Sequence, residues 1–168
     1  MTGRLRHRAA RALRRAPRSF GALVALYLAE RVSAARGLAR RGLDEVVERI
    51  DARGAPTRAL LDLASVQLAV EVAEALCART PAADTCLYRA IARYGLLRRL
   101  GLEPVLVVGV TPGSALDGPA ASSDDELGHA WVELAGEPFP PERLPRLVVS
   151  YRHPRSRPLD RATADVRA

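Results

Sequence analysis

The pattern that decides the fold lies at residues 86–110, CLYRAIARYGLLRRLGLEPVLVVGV, where a helical period gives way to a strand-like run. Thr85 is a suitable N-cap and Gly101 a suitable stop, so we predict a helix from Cys86 to Leu100. The run PVLVVGV at 104–110 is short and rich in valine, which predicts a β-strand. The chain therefore passes from helix to sheet at this one stretch.

The residues on either side extend the same division. Before it the chain is helical in pattern, ending with TRALLDLASVQLAVEVAEALCAR at 57–79, which is apolar nearly all round. After it, HAWVELA at 129–135 alternates as a strand does, and RLVVSYR at 146–152 predicts another strand. Helices followed by a small antiparallel sheet indicate an α+β fold rather than an alternating α/β fold.

The spacing of apolar residues also assigns helix faces. The first helix is expected to bury a stripe of Leu23, Leu26, Leu28 and Val32. In the helix from Cys86, one side carries Leu87, Ile91, Tyr94 and Leu97, and the arginines expected to point outward are Arg89, Arg93 and Arg98.

Cys86 is one of only two cysteines, and it stands where a helix begins. The free backbone N–H groups and the positive end of the helix dipole stabilise a thiolate at such a position. The other cysteine, Cys77, is expected to be a core residue. The alternative for Cys86 is the same ordinary role, a small buried hydrophobic side chain.

His129 is the histidine best placed to act as a base for that thiol, because it begins a strand directly after a long polar segment. The other two histidines lie in the basic arm (His7) and at the edge of the C-terminal tail (His153). Cys86 and His129 are therefore the candidate nucleophile and base.

A third residue can be sought from hairpin geometry. If Ala135 and Gly136 form a two-residue turn, paired residue numbers add up to 271, and Glu142 lies opposite His129. Pro138, Pro140 and Pro141 interrupt a ladder at this place, so the register can slip. The fallback acids are Glu133 and Glu137, whereas Asp160 and Asp165 belong to the tail.

The charge is distributed unevenly. All 26 basic residues are arginine; residues 1–43 hold 11 of them and one acid, Glu30, while the rest holds 15 arginines and 18 acids. A basic arm on a slightly acidic body favours contact with an acidic partner, nucleic acid or a membrane surface, without specific nucleic-acid recognition by the domain. The alternative is a solvated arginine-rich helix. The apolar run from Phe20 to Ala29 is too short to span a bilayer. With only two cysteines, the expected location is the cytoplasm, with membrane association left open.

No cofactor or metal is expected. Two cysteines nine residues apart with one distant histidine match no metal-ligand spacing. The sequence has no glycine-rich phosphate loop and no serine-centred elbow.

Residues 86–110 together with GHAWVELAGEPF at 128–139 resemble the transglutaminase-like fold. More narrowly, they resemble the leader-peptidase family of lasso-peptide biosynthesis, the domain of the microcin-processing B protein. That pattern has a cysteine at a helix start, the turn LRRLG, a strand ending in GV and, after a loop, HAWVEL; the resemblance covers roughly residues 60–152. Where the family carries its acid, this chain has Pro141, with Glu142 next.

The resemblance implies a papain-like core with Cys86 as nucleophile, His129 as base and Trp131 as a packing aromatic. It implies a cysteine protease that removes the leader of a lasso-type precursor by thiol acyl transfer, with the N–H of Cys86 as an oxyanion donor. The implied partners are the precursor peptide, a leader-recognition protein and the cyclase of the same pathway. Three regions are expected: an arginine-rich helical region at 1–55, the transglutaminase-like domain at 56–153 and a disordered tail at 154–168.

Two other functions stay open. One is another amide-modifying reaction on the same fold, such as deamidation, acyl transfer or amidation. The other is a non-catalytic scaffold that binds a peptide or a membrane partner through the arginine-rich N-terminus.

Overall fold

The computed structural model describes residues 3, 17–53, 62–78, 85–110, 128–144 and 146–154, with side chains from 19 onward in the first helix. The helices in these ranges are α1 (Pro17–Leu38), α2 (Leu43–Ala52), α3 (Leu63–Cys77) and α4 (Cys86–Arg99). The strands are β1 (Pro104–Val110), β2 (Gly128–Leu134), β3 (Glu137–Pro138) and β4 (Val148–His153). The α+β prediction is confirmed.

Some predictions concern residues outside these ranges. They include those on His7, on residues 57–61 of the predicted helical stretch, on the long polar segment before His129, and on Asp160 and Asp165 of the tail. Among the described residues, none of the helices has the length and apolar character needed to cross a bilayer.

Side-chain caps mark the starts of the two central helices. Thr85 Oγ1 accepts a hydrogen bond from the backbone N–H of Tyr88 at 3.4 Å, which is the predicted N-cap of α4. Asp62 caps α3 by accepting from the N–H groups of Ala64 and Ser65, both at 3.2 Å. Helix α3 therefore begins at Leu63, and residues 57–61 of the predicted helical stretch lie outside the described ranges.

Helix α4 forms the centre of the core. Gly101 follows it with a φ of 75°, the left-handed conformation that ends helices. Every residue from Ala90 to Leu97 is buried, and the helix packs against α1 on one side and against β1 and β2 on the other. Arg93 is therefore buried, with 7% of its surface exposed, and the prediction that it points outward is wrong.

The buried face of α1 also differs from the predicted one. Val32 is 49% exposed, and Leu26 and Leu28 are only partly buried. The buried residues instead follow a strict helical spacing and are Phe20, Leu23, Tyr27, Glu30, Ala34 and Gly37. The prediction from aliphatic residues is wrong because the buried face includes Tyr27 and Glu30, and a count of aliphatic residues assigns both to the surface.

Glu30 is the buried acid in that stripe, with 2% of its surface exposed. Its carboxylate accepts hydrogen bonds from Arg99 of α4 and from Arg53, whose Nη1 lies 3.1 Å from Oε2. A Cβ at Gly95 would lie 2.7 Å from the same Oε2. Glycine at position 95 thus allows the α1 carboxylate to approach the backbone of α4.

The four strands form one antiparallel sheet in the order β3-β2-β1-β4. Between β2 and β3, Ala135 and Gly136 have φ values of 54° and 86°, as in a type I′ hairpin turn. Glu133 pairs with Pro138 and Leu134 with Glu137, so paired numbers add up to 271 as predicted. The Phe139 N–H continues this register by donating to Val132 O at 2.8 Å.

Ala135 in this turn adopts a positive φ, which costs a residue with a Cβ about 1 kcal/mol of folded-state stability. We expect Ala135→Asn to raise the free energy of unfolding by about 0.5–1 kcal/mol, since Asn-Gly is the preferred type I′ pair. Gly136→Ala should lower it by about 1 kcal/mol through backbone strain alone, because nothing lies within 4 Å of a Cβ built there. Thermal melts check both, and equal melting temperatures for the two variants would contradict the turn assignment.

Candidate active site

Cys86 is the first residue of α4, as the sequence predicts. It is half-buried and packs against the hydrophobic core, and neither cysteine forms a disulfide. The cap at Thr85 fixes the direction in which the first backbone N–H groups of α4 point. Cys77 is the last residue of α3 and is also half-buried.

His129 lies near the start of β2, opposite Gly109 of β1. Its ring stacks on that of Trp131, with ring centroids 6.2 Å apart and an interplanar angle of 17°. Ala130 and Val132 alternate with these two residues and belong to the core that α4 shares with the sheet. Trp131 is buried, with 4% of its surface exposed, so the ring on which His129 stacks is held by packing.

Glu142 is the acid that the structure brings to His129. Its Oε1 lies 3.8 Å from His129 Nε2, and Oε1 is buried. The hairpin register extends as far as the Phe139 N–H, and Glu142 follows three residues later, beyond the ladder. A separation of 3.8 Å is an ion-pair distance and exceeds a hydrogen bond, as is common for catalytic groups without substrate.

Arg93 connects this pair of residues to α4. Its Nη1 lies 3.5 Å from Glu142 Oε1, while its Nε and Nη2 donate to Glu74 at 2.8 and 3.0 Å. Burial alone disfavours the cation, but the hydrogen bonds and charge of Glu74, with a contribution from Glu142, outweigh it and raise the pKa of Arg93. The guanidinium thus stays charged between two carboxylates.

Glu74 is held in turn by Tyr27 of α1, whose hydroxyl donates to Oε1 at 2.8 Å. Burial and the nearby carboxylate raise the pKa of Tyr27 far above its ordinary value, so the phenol remains a donor. Residues from α1, α3 and α4 thereby form one buried polar chain that ends beside His129.

The fallback acids occupy other positions. Glu133 Oε1 accepts from the indole N–H of Trp131 at 3.2 Å, and Glu133 Oε2 accepts from Arg152 at 2.6 Å. Glu137 is exposed in β3 and pairs with Leu134. Of Glu142 and the two fallback acids, Glu142 is the one whose carboxylate the structure places within 4 Å of His129.

A second histidine cluster was missed by the sequence analysis. His153 Nε2 lies 2.8 Å from Asp51 Oδ2, and Asp51 Oδ1 accepts from Tyr94 at 2.7 Å and pairs with Arg98 at 2.9 Å. These residues come from β4, α2 and α4, and no local spacing links them. The cluster ties α2 to the rest of the fold.

This cluster makes stability depend on pH. Burial alone raises a carboxyl pKa, but hydrogen bonds from His153 and Tyr94 and the charge of Arg98 outweigh it, so the pKa of Asp51 lies below its ordinary value. The resulting stabilisation is present above the unfolded-state value of about pH 4 and is lost as pH falls through the lower folded value. Asp51→Asn should therefore lower the melting temperature at pH 6, and the difference from wild type should shrink below about pH 4. A constant difference from pH 3 to pH 7 in thermal melts would contradict this.

Within the described ranges, no group of three or more histidine, cysteine or acidic side chains is placed to hold a metal ion.

The structure thus combines a capped helix that begins at Cys86 with an antiparallel sheet in which His129 lies near the start of a strand. The family model of the transglutaminase-like superfamily matches residues 28–156, and the chain belongs to that superfamily. The superfamily includes cysteine-protease-like enzymes, so membership is compatible with cleavage or modification of an amide. The match identifies the superfamily and gives no evidence for the narrower leader-peptidase family. No curated protein and no solved structure matches the chain.

Proposed function

We propose that this protein is a cysteine peptidase that acts on a peptide amide through Cys86, His129 and Glu142. The observation that carries the proposal is the ion-pair contact of Glu142 with both His129 and Arg93, which ties the candidate base to the helix that begins at Cys86. Superfamily membership supports the same chemistry.

In the proposed reaction, His129 takes the proton of the Cys86 thiol, and the thiolate sulfur attacks the carbonyl carbon of the scissile amide. The N–H of Cys86 donates to the oxyanion that forms, since this N–H is free at the start of α4. The imidazolium then protonates the leaving amine, the C–N bond breaks, and a thioester remains. Water, deprotonated by His129, hydrolyses the thioester and restores the thiol.

Glu142 orients the imidazole in this scheme. A carboxylate beside Nε2 favours the tautomer with hydrogen on Nε2, which leaves the lone pair on Nδ1 for the thiol. It also stabilises the imidazolium that forms during the reaction.

The finer proposal is removal of the leader peptide from a lasso-type precursor, which rests on the motifs CLYRA, LRRLG and HAWVEL at 86–134. The precursor would be presented by a leader-recognition protein, and the product would pass to a cyclase. The basic region at 1–43 would supply contacts to an acidic partner or a membrane surface.

The test is incubation with the precursor peptide encoded nearest to this gene and the neighbouring leader-binding protein, followed by mass spectrometry. Wild type should release the leader, and His129→Ala should reduce the rate by about 10³-fold or more. Cleavage that persists in His129→Ala would refute the assigned base. A bound peptide without any mass change would instead favour the non-catalytic scaffold, and a mass change without cleavage would favour another amide-modifying reaction.

A further inference from the structure

We infer that Arg93 is a positioning residue of this site: it holds the Glu142 carboxylate against His129 Nε2. The effect of Arg93 on catalysis rests on the proposed function, but its effect on the contact of Glu142 with His129 can be tested without an activity assay.

The first support is that Arg93 and His129 both lie close to the same carboxylate oxygen of Glu142. The Nη1 atom of Arg93 lies 3.5 Å from Glu142 Oε1, and His129 Nε2 lies 3.8 Å from the same atom. Glu142 is carried by a segment that has left the β2–β3 ladder, so the backbone hydrogen bonds of the sheet do not by themselves fix its side chain. A cation on a rigid helix is what restricts this carboxylate.

The second support is that Arg93 is itself immobilised. Its side chain is 8% exposed, and Glu74 accepts from Nε and Nη2 in a two-pronged arrangement that leaves Nη1 directed to Glu142. Tyr27 holds Glu74 from the far side. A planar guanidinium fixed on one edge presents its remaining N–H groups in one direction, which the flexible ammonium of lysine does not do.

The third support is that pairing with Glu74 uses only two of the three guanidinium nitrogens. The third, Nη1, is turned toward Glu142, and pairing with Glu74 alone does not explain that orientation. One cation between two carboxylates also limits the repulsion between them. A purely structural arginine would stabilise the contact of α3 with α4 and have no effect on His129.

The test measures solvent exchange of the His129 Nε2–H by ¹⁵N-edited NMR, at a pH where the ring is neutral, in a double-mutant cycle. In wild type this hydrogen should be protected. Glu142→Gln should accelerate its exchange by about ten- to hundredfold, because the charged carboxylate beside this hydrogen is replaced by a neutral amide. Arg93→Met should produce a similar acceleration, and the double variant should exchange no faster than either single variant.

Three further variants keep the result interpretable. Arg98→Met removes an arginine of the same helix that pairs with Asp51, and it should leave the exchange rate unchanged. Arg93→Met combined with Glu74→Gln avoids an uncompensated buried carboxylate if the single variant does not fold. Arg93→Lys should restore the charge but not the protection, since lysine lacks the fixed fork.

The inference would be overturned if Glu142→Gln accelerated exchange of the His129 Nε2 hydrogen by the same factor with and without Arg93. It would also be overturned if this hydrogen were unprotected in wild type. In the cleavage assay, Arg93→Met should lower kcat by about ten- to hundredfold and leave KM unchanged, because it acts through Glu142 and touches no substrate. Failure of wild type to cleave any precursor would refute the proposed function, while the exchange cycle would still decide the role of Arg93.

Discussion

Replacing Cys86 by alanine should abolish cleavage of the precursor peptide, lowering kcat by about 10⁴-fold or more, because no other group in the proposed mechanism can form the thioester. The loss should not come from unfolding. The side chain is half-buried at the end of a helix whose cap at Thr85 is retained, so we expect a stability change below about 1 kcal/mol. Single-turnover kinetics and a thermal melt separate the two effects.

Cys77 supplies the matched control, since it is the other half-buried cysteine outside a disulfide and ends a helix instead of beginning one. Cys77→Ala should keep full activity. Native protein should also be alkylated by iodoacetamide faster at Cys86 than at Cys77, because a helix N-terminus favours the thiolate and a C-terminus does not. Equal alkylation rates at the two cysteines would count against a nucleophilic role for Cys86.

The largest stability effect is expected at Glu30. Glu30→Gln removes a buried charge that Arg53 and Arg99 share, while keeping the size of the side chain. Breaking a buried ion pair from one side costs about 3–5 kcal/mol, but both arginines are more than a third exposed and can be rehydrated, so about 2–3 kcal/mol is the expected loss. For a chain of this length that corresponds to a decrease of roughly 5–10 °C in Tm.

Glu45 is the control for this prediction, because it also pairs with two arginines, Arg41 and Arg49, but its side chain is 49% exposed. Glu45→Gln should change stability by less than about 0.5 kcal/mol, as exposed helix pairs do. If the two variants melt at the same temperature, burial does not strengthen the Glu30 cluster in the way proposed.

Two parts of the candidate site could be predicted from sequence because they depend on local chemistry. The start of α4 at Cys86 follows from a threonine cap and a helical period within a few residues. The approach of Glu142 to His129 was expected from the register of the Ala135-Gly136 turn, which the structure confirms as far as Phe139; Glu142 itself lies beyond the ladder. The roles of Cys86, His129 and Glu142 remain predictions.

Other parts could not be predicted, because they depend on which elements meet. Arg93 occupies a polar position on a helix that spacing alone assigns to the surface, yet Glu74 and Glu142 approach it from α3 and from the segment after β3. His153 and Asp51 are 102 residues apart and meet only when β4 and α2 pack around α4. The buried position of Glu30 likewise requires Gly95, on another helix, to leave room for it.

By itself, then, the sequence determined the α+β class, the helix that begins at Cys86 and the hairpin register, all of which arise from caps, turns and periodicity over short distances. Only the tertiary structure decided which charged side chains are buried and what they contact. Burying a charge is favourable only where an oppositely charged partner is brought to it, and that partner is supplied by packing between distant elements.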